Sequence, residues 1–177
     1  IARRTWRFFA VFVGPGDDAL PPDNFQEDPY PVVARRTSPT NLGLYLLSVV
    51  TAHDFGWIGT RDALDRIEAT LATMARLERF RGHFLNWYDT SDGRALDPRY
   101  VSSVDSGNLA GHLIALKHAC LEMIDQPRPA QAALDGIMDT VHLVRDAARV
   151  RAAGGSPRGK ARRRLNEALD DLEAVAA

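Results

Sequence analysis

Residues 82–89, with the sequence GHFLNWYD, bring aromatic rings and polar side chains together in one short stretch. The candidates for bonding hydroxyl groups are His83, Asn86 and Asp89, and those for stacking on an apolar ring face are Trp87 and Tyr88. Sugars are bound by such combinations, and loops held by a rigid scaffold usually carry them. Because large aromatic residues are often buried, the alternative that Trp87 and Tyr88 are core residues between two helices stays open.

A second polar stretch, residues 102–108 with the sequence SSVDSGN, leads directly into an apolar segment that is typical of a helix. Ser103 or Asp105 could cap this helix by accepting a hydrogen bond from a free backbone N–H. A cap needs only one such side chain, so the surplus indicates that Asp105 and Asn108 face a ligand from the first turns. Capping alone and ligand binding both stay open.

A third set of candidates lies in a proline-rich arm, residues 14–38. Its amides and carboxylate could lie over a pocket, and the residues that would do so are Asn24, Gln26 and Glu27. Apolar anchors at Leu20, Phe25 and Tyr30 predict that the arm packs on the rest of the molecule. The alternative is that these polar side chains belong to an ordinary solvated loop.

Neither metal nor nucleic-acid chemistry is expected. The five histidines include no HExxH motif, and the single cysteine, Cys120, excludes an internal disulfide or a cysteine-rich zinc site. Residues 145–164 carry basic side chains beside one acid, and they are Arg145, Arg149, Arg151, Arg158, Lys160, Arg162, Arg163 and Arg164. No aromatic residue interleaves them, and acids follow in the next segment, so a solvated, self-neutralising helical hairpin is the expectation.

The elements that must position these candidates are helical. The signals predict a short amphipathic helix around Trp6 and Phe9, then helices over 39–55, 60–80, 103–124 and 130–152, and a charged one to the end. Ser38 and Pro39 mark one start. Over 60–80 the predicted buried stripe is Leu64, Ile67, Leu71, Met74 and Leu77. Helices that are apolar all round (39–55, 103–124) alternate with helices that are apolar on one side only. An inner ring of buried helices surrounded by an outer ring of helices would produce this alternation.

The composition limits the classes of protein to which this chain can belong. The chain has 177 residues, 45% of them hydrophobic, and a formal net charge of -1. These values exclude disorder for most of the length and fit one domain or a piece of one. No apolar run approaches the ~20 residues that span a bilayer. The chain begins at Ile1 without a methionine, which suggests a segment cut from a longer protein.

Several runs of this sequence resemble the family of cyclic β-1,2-glucan synthases. They are RRTWRFF at 3–9, LPPDNFQE at 20–27, RTSPTNLGLYLL at 36–47, DFGWIG at 54–59, GHFLNWYDT at 82–90 and YVSSVDSGNLAGHL at 100–113. The resemblance is dense over about residues 1–120, and beyond residue 127 it is limited to helical character. Arg35 departs from the pattern, which has a histidine there.

The resemblance implies an all-α fold: an incomplete α/α toroid, the first half of a glycoamylase-like (α/α)6 barrel, with an irregular N-terminal arm and a short β-hairpin or loop around 83–101. Residues 1–177 would form one fragment of that domain. Residues 1–38 would be the helix and arm, 39–126 the barrel helices and active-site loop, and 127–177 a helical hairpin.

The implied function is to take part in closing linear β-1,2-glucan into a ring by transglycosylation. Such chemistry needs two carboxyl groups ~5–5.5 Å apart, and the resemblance places them beyond Ala177, so no catalytic residue is expected here. The candidate site residues would bind the glucan chain, and Ser103 would do so together with Asp105. No cofactor is expected for the fragment, and UDP-glucose would serve a separate glycosyltransferase domain of the parent.

Partners and location follow from the same resemblance. We expect contacts with the other domains of the synthase and self-association through exposed inner helices, but none with nucleic acid. The parent would lie in the bacterial inner membrane, with this soluble region on the cytoplasmic side. The alternative is a non-catalytic helical module that docks domains or holds glucan.

Overall fold

The computed structural model describes residues 2–126, 129–153 and 159–176. The helices are α1 Ala2–Phe12, α2 Pro39–Asp54, α3 Thr60–Arg76, α4 Ser103–Asp125, α5 Ala130–Ala153 and α6 Gly159–Ala176. The strands, each of two residues, are β1 Phe25–Gln26, β2 Val32–Val33, β3 Arg36–Thr37, β4 Arg79–Phe80, β5 His83–Phe84 and β6 Tyr88–Asp89. The predicted all-α class is confirmed.

The strands form three short antiparallel ladders, which tie the loops to the helices. β1 pairs with β2 in the arm, and β4 pairs with β5 just after α3. β3 pairs with β6, so that Arg36 lies opposite Asp89 and Thr37 opposite Tyr88. This last ladder brings the loop before β6 next to the start of α2.

The chain divides into two compact units, of which the first comprises Ile1–His53 and Thr60–Pro127. Its core is built on α2, where Leu42, Tyr45, Leu46 and Val49 are almost fully buried. α2 starts where the sequence predicts it: Ser38 Oγ accepts from the backbone N–H of Asn41 at 3.2 Å. Because Pro39 lacks the N–H that a helix leaves unpaired at this position, the start costs little.

α3 buries a face that only partly matches the predicted one. Ile67, Met74 and Leu77 are buried as predicted, but Leu64 and Leu71 are 47% and 39% exposed. The rest of the buried side consists of Ala63, Thr70 and Thr73. Thr70 and Thr73 donate to the carbonyls of Ala19 and Asp18 at 2.9 and 2.7 Å. These hydrogen bonds to the arm make burial of the hydroxyls favourable, and they rotate the helix away from its most apolar stripe.

Of the three predicted anchors of the arm, one is fully buried. Leu20 is fully buried and Phe25 is half-buried, whereas Tyr30 is 65% exposed. The prediction of an anchor at Tyr30 is therefore wrong, because the turn between β1 and β2 carries this residue outward.

α4 also differs from its prediction. The sequence indicates a helix buried on most sides, but only Leu109 and Leu116 are buried. Val104, Ile114 and Ile124 are 70%, 62% and 77% exposed. None of the described helices combines the length and apolar character that a bilayer crossing requires.

The second unit comprises Asp54–Gly59 and Arg128–Ala177. The loop before α3 lies against α5, where Trp57 Nε1 donates to Asp139 Oδ2 at 2.8 Å. This approach requires glycine at Gly56, whose φ is +71° and whose missing Cβ would lie 1.8 Å from the carbonyl oxygen of Ala132.

The helices α5 and α6 pack together as the predicted hairpin, with Val141 and Leu169 buried. Arg145 pairs with Asp170 at 2.5 Å and with Glu173 at 2.9 Å. Arg149 pairs with Asp146, and Arg163 pairs with Glu167. The expected neutralisation thus holds for these three arginines. The side chains of Arg151, Arg158, Lys160 and Arg162 lie outside the described part of the chain.

Candidate functional site

The centre of the site is the buried amide of Asn86, in the loop between β5 and β6. The hydrogen-bond network fixes the amide's orientation: its nitrogen donates to Asp105 Oδ2 at 3.2 Å. Its oxygen accepts from the Tyr100 hydroxyl at 2.8 Å and from Trp87 Nε1. The backbone N–H of Asn86 also donates to the Tyr100 carbonyl at 2.9 Å. One side chain therefore joins the loop, the segment before α4 and α4 itself.

The second carboxylate oxygen of Asp105 connects this amide to α2. Thr40 Oγ1 donates to Asp105 Oδ1 at 2.5 Å, and Asn108 Nδ2 donates to Thr40 Oγ1 at 3.1 Å. Thr40 lies in the first turn of α2, and Asp105 and Asn108 lie in the first two turns of α4. We call these six residues, Asn86, Asp105, Thr40, Asn108, Trp87 and Tyr100, the Asn86 cluster.

The cap of α4 is a residue that neither sequence interpretation named. Ser102 Oγ accepts from the backbone N–H of Asp105 at 3.1 Å, so neither Ser103 nor the Asp105 carboxylate caps the helix. Ser103 is exposed at the start of the helix. Because Ser102 satisfies the orphan N–H, the Asp105 side chain is available for Asn86 and Thr40.

Asp23 in the arm holds the positively charged side chain of Arg36 next to the cluster. Its carboxylate accepts from Arg36 Nη2 at 3.1 Å and Nε at 3.3 Å, and from Asn41 Nδ2 at 3.2 Å. The Arg36 guanidinium lies 4.5 Å from the centre of the Trp87 ring, a cation–π distance. Asn24 joins through the same carboxylate, to which it donates at 3.1 Å.

Other predicted site residues lie elsewhere. His83 is exposed on the β4–β5 hairpin. Tyr88 is fully buried, accepts from the Leu85 N–H at 2.6 Å and donates to the Glu78 carbonyl at 2.7 Å. Burial raises the pKa of the Tyr88 hydroxyl. A ring with no exposed surface cannot stack on a ligand, so Tyr88 matches the core alternative.

Asp89 organises the turn that follows β6. Its Oδ1 accepts from the Ser91 hydroxyl at 2.6 Å and from the Ser91 N–H at 2.9 Å. These bonds lower the pKa of Asp89, and Arg94 adds to the effect. In the arm, Gln26 is exposed on β1, and Glu27 is exposed beside α1. Of the eleven predicted residues, the structure therefore gathers Asn86, Trp87, Asp105, Asn108 and Asn24.

The sequence interpretation missed Thr40, Asn41, Arg36 and Tyr100. A usable signal was present for the first two, because polar residues lead into the apolar helix α2 just as residues 102–108 lead into α4. The ladder between β3 and β6, which brings Arg36 to Trp87, is only two residues long and leaves no pattern in the sequence.

The cluster supplies amide, carboxylate, hydroxyl and guanidinium groups around a partly exposed indole. Tyr100 and Arg36 are about half exposed, and Asn108 is exposed, so the cluster reaches the surface. Such groups match the hydroxyls and apolar faces of a saccharide. Among the residues that the structure describes, no three His, Cys, Asp or Glu side chains are placed to hold a metal ion.

No profile of an established protein family matches the chain. Over 148 residues, 83% of the chain, it is 55% identical to cyclic beta-(1,2)-glucan synthase NdvB of Rhizobium meliloti (strain 1021), and the match spans 5% of that protein. A solved glucoamylase-like protein from Bacteroides fragilis NCTC 9343 superposes with a TM-score of 0.57, covering 77% of this chain and 32% of that one at 17% identity. The second likeness concerns the fold, and it fits the predicted incomplete α/α toroid. The chain is homologous to a segment of the cyclic β-1,2-glucan synthases.

Proposed function

We propose that this segment binds a β-1,2-glucan chain within the part of a larger synthase that closes the linear glucan into a ring. The observation that carries the proposal is the Asn86 cluster. The buried amide of Asn86 links the loop at 86–87 to the first turn of α4 at Asp105, and the Asp105 carboxylate links α4 to Thr40 in the first turn of α2. It does so in a chain that is 55% identical to a segment of a protein named for cyclic glucan synthesis.

The cluster binds by bonding hydroxyls and covering an apolar ring face. Trp87 offers the indole, and Asn108 and Tyr100 offer exposed polar groups around it. The buried Asn86 and the half-buried Asp105 hold these groups in place, because each polar atom of their side chains already has a partner. Binding groups that are fixed in advance lose little conformational entropy when the ligand arrives.

The reacting carboxylates belong, in this proposal, to other parts of the parent protein. Both oxygens of Asp105 accept hydrogen bonds from Asn86 and Thr40, an arrangement suited to positioning. A retaining transglycosylase needs a pair of carboxyl groups ~5–5.5 Å apart. The segment alone is therefore inactive and uses no cofactor. UDP-glucose serves a separate glycosyltransferase domain of an inner-membrane parent, with this region on the cytoplasmic side.

The test uses the whole synthase that contains this segment, supplied with UDP-glucose. We expect Asp105→Asn and Trp87→Ala to reduce the cyclic product at least about tenfold, the effect of losing roughly 1.4 kcal/mol of binding, while linear glucan still forms. Persistence of the linear product shows that the variant protein is made and folded. Chromatography of neutral glucans separates rings from chains.

The matched control is Asp92→Asn. Asp92 is an exposed loop carboxylate that caps the turn at Arg94, so the variant removes the same charge away from the cluster. Unchanged ring yields in Asp105→Asn and Trp87→Ala would refute the site. Turnover of linear β-1,2-glucan by the 177-residue chain alone would refute the placement of the catalytic groups.

A second candidate function, a non-catalytic docking module, is favoured by α4. Val104, Ile114 and Ile124 expose most of their apolar surface, which is typical of a helix that meets other protein. In that case Asp105→Asn would leave ring closure intact, and charged substitutions on α4 would abolish it.

A further inference from the structure

The first helix has a second apolar face that the core does not use. Trp6 and Phe9 are buried, and at 100° per residue they lie on one side of α1 together with the buried Val13 that follows it. Phe8, Val11 and Phe12 lie on the opposite side, where Val11 is 61% exposed and both phenylalanine rings are half-buried. An ordinary surface helix needs only one apolar face.

This second face forms one wall of a groove, and the arm forms the other. The groove has a volume of about 700 Å³ and is lined by Arg4, Arg7, Phe8, Val11, Phe12, Phe25 and Glu27. We call it the α1 groove. The rings of Phe12 and Phe25 lie 4.8 Å apart between centroids, and those of Phe8 and Phe12 lie 5.4 Å apart. A continuous aromatic row thus runs from the helix to β1.

The polar groups of the groove narrow the class of ligand. Arg4 and Arg7 extend from the same side of α1 as the phenylalanine rings, and Glu27 extends from the arm. Guanidinium and carboxylate groups are planar and can bond two neighbouring hydroxyls at once. Arginine and aromatic residues are also enriched at protein interfaces, whereas glutamate is depleted there. Flat apolar rings beside groups that bond paired hydroxyls suit a polyhydroxylated ligand.

The arm connects the groove to the Asn86 cluster. Asp23, which holds Arg36 against Trp87, precedes Phe25 by two residues and Glu27 by four. An extended chain advances at most ~3.4 Å per residue, so these positions lie within roughly 7 and 14 Å of Asp23. A single polymer can therefore contact both places.

From these observations we infer that the α1 groove is a second contact region for the glucan chain, and that it holds the polymer beyond the residues bound at the Asn86 cluster. The inference rests on the proposed function for the identity of the glucan. It assigns binding roles to Arg4, Arg7 and the row of Phe8, Phe12 and Phe25.

The test is a titration followed by nuclear magnetic resonance. The full 177-residue chain carries carbon-13 labelled phenylalanine and tryptophan, and linear β-1,2-glucans of increasing length are added to it. In the unmodified chain we expect both the Trp87 indole signal and the phenylalanine ring signals to shift. We expect affinity to rise about tenfold or more between short and long glucans, which corresponds to an added ~1.4 kcal/mol. The double variant Arg4→Ala/Arg7→Ala should lose this dependence on length and keep the Trp87 shift.

The control is Arg61→Ala, which removes an exposed arginine of α3 whose partner Asp65 lies 3.9 Å away, and it should behave like the unmodified chain. If the Trp87 signal shifts and the phenylalanine signals do not, the groove assignment is wrong and the proposed function stands. If only the phenylalanine signals shift, the groove binds glucan and the Asn86 cluster assignment is wrong. If the phenylalanine signals shift with protein concentration alone, a second copy fills the groove and the inference is overturned.

Discussion

At the scale of single residues, Asp23 is the connection between the arm and the site. Its carboxylate accepts hydrogen bonds from Arg36, Asn41 and Asn24, and Arg36 in turn lies on the Trp87 ring. Asp23 touches no proposed ligand directly in this arrangement. It acts through Arg36 and is therefore a positioning residue.

We expect Asp23→Asn to release Arg36 from Trp87. An asparagine keeps one oxygen as an acceptor for Asn41, but it loses the charge that holds the guanidinium. Because the Arg36 side chain is 50% exposed, the free energy of unfolding should fall by only about 0.2–1 kcal/mol. The near-ultraviolet spectrum of Trp87 should change, and the dissociation constant for linear β-1,2-glucan should rise about three- to tenfold.

The matched control for this prediction is Asp65→Asn. It removes a charge from an exposed pair on α3, in which Arg61 Nε lies 3.9 Å from the carboxylate. Its spectrum and its glucan affinity should stay unchanged. Equal losses of affinity in the two variants would mean that net charge, and not the position of Arg36, controls binding.

The residue types in the sequence predict some of the side chains in this site, but not which of them are buried. Asp105 and Asn108 could be selected because they exceed what a helix cap requires, and Asn86 because it lies among aromatic residues. Tyr88 and Trp87 are neighbours with similar side chains, yet only Trp87 reaches the surface. Which of two adjacent aromatic residues is buried depends on the pairing of β6 with β3, a tertiary contact that has no local signal.

At the scale of elements, the site depends on how closely α2 and α4 approach. A Cβ atom at Gly43 would lie 2.2 Å from His112 Nδ1 and 2.8 Å from His112 Cβ. Thr40 lies one turn before Gly43 on the same side of α2, and its hydroxyl reaches Asp105 on α4. The glycine therefore sets the separation that this hydrogen bond needs.

We expect Gly43→Ala to push the two helices apart. Alanine favours the helical backbone by about 1 kcal/mol, but overpacking against the root of the His112 side chain costs about 1–3 kcal/mol. The net result should be a loss of up to about 2 kcal/mol in the free energy of unfolding, measured by urea denaturation, together with weaker glucan binding.

Gly111→Ala on α4 is the control, because no heavy atom lies within 4 Å of the position that its Cβ would take. This variant should be stabilised by up to about 1 kcal/mol through helix propensity alone. If Gly43→Ala is also stabilised, the close approach of α2 and α4 is not what positions Thr40.

Element positions could be predicted from sequence better than element faces could. Ser38 and Pro39 mark the start of α2 because capping chemistry is local. The face that α3 buries depends instead on hydrogen bonds from Thr70 and Thr73 to carbonyls of the arm, more than fifty residues away. A count of apolar residues selects Leu64 and Leu71, because it cannot register a hydroxyl that gains a buried acceptor.

At the scale of the whole molecule, the most exposed large apolar side chains of α4 stand out among the described helices, although α5 also exposes several. Val104, Ile114, Leu121 and Ile124 are between 48% and 77% exposed, whereas α2, a helix of similar apolar character, is largely buried. The match to the solved glucoamylase-like protein covers 32% of that chain. Both observations fit a segment whose α4 meets further protein, as the predicted toroid requires.

We expect the chain on its own to self-associate through this surface, since apolar residues on more than one side of α4 gain by leaving water. Sedimentation velocity from low to high micromolar concentration should show a dimer or larger species that increases with concentration. The double substitution Ile114→Glu/Ile124→Glu should shift the chain to monomer. The control Leu64→Gln, which changes a single exposed apolar residue of α3, should leave the self-association unchanged.

A chain that stays monomeric at every concentration would show that the exposed apolar face of α4 does not drive association. Association that survives the glutamates would assign the contact to another surface, such as the α1 groove.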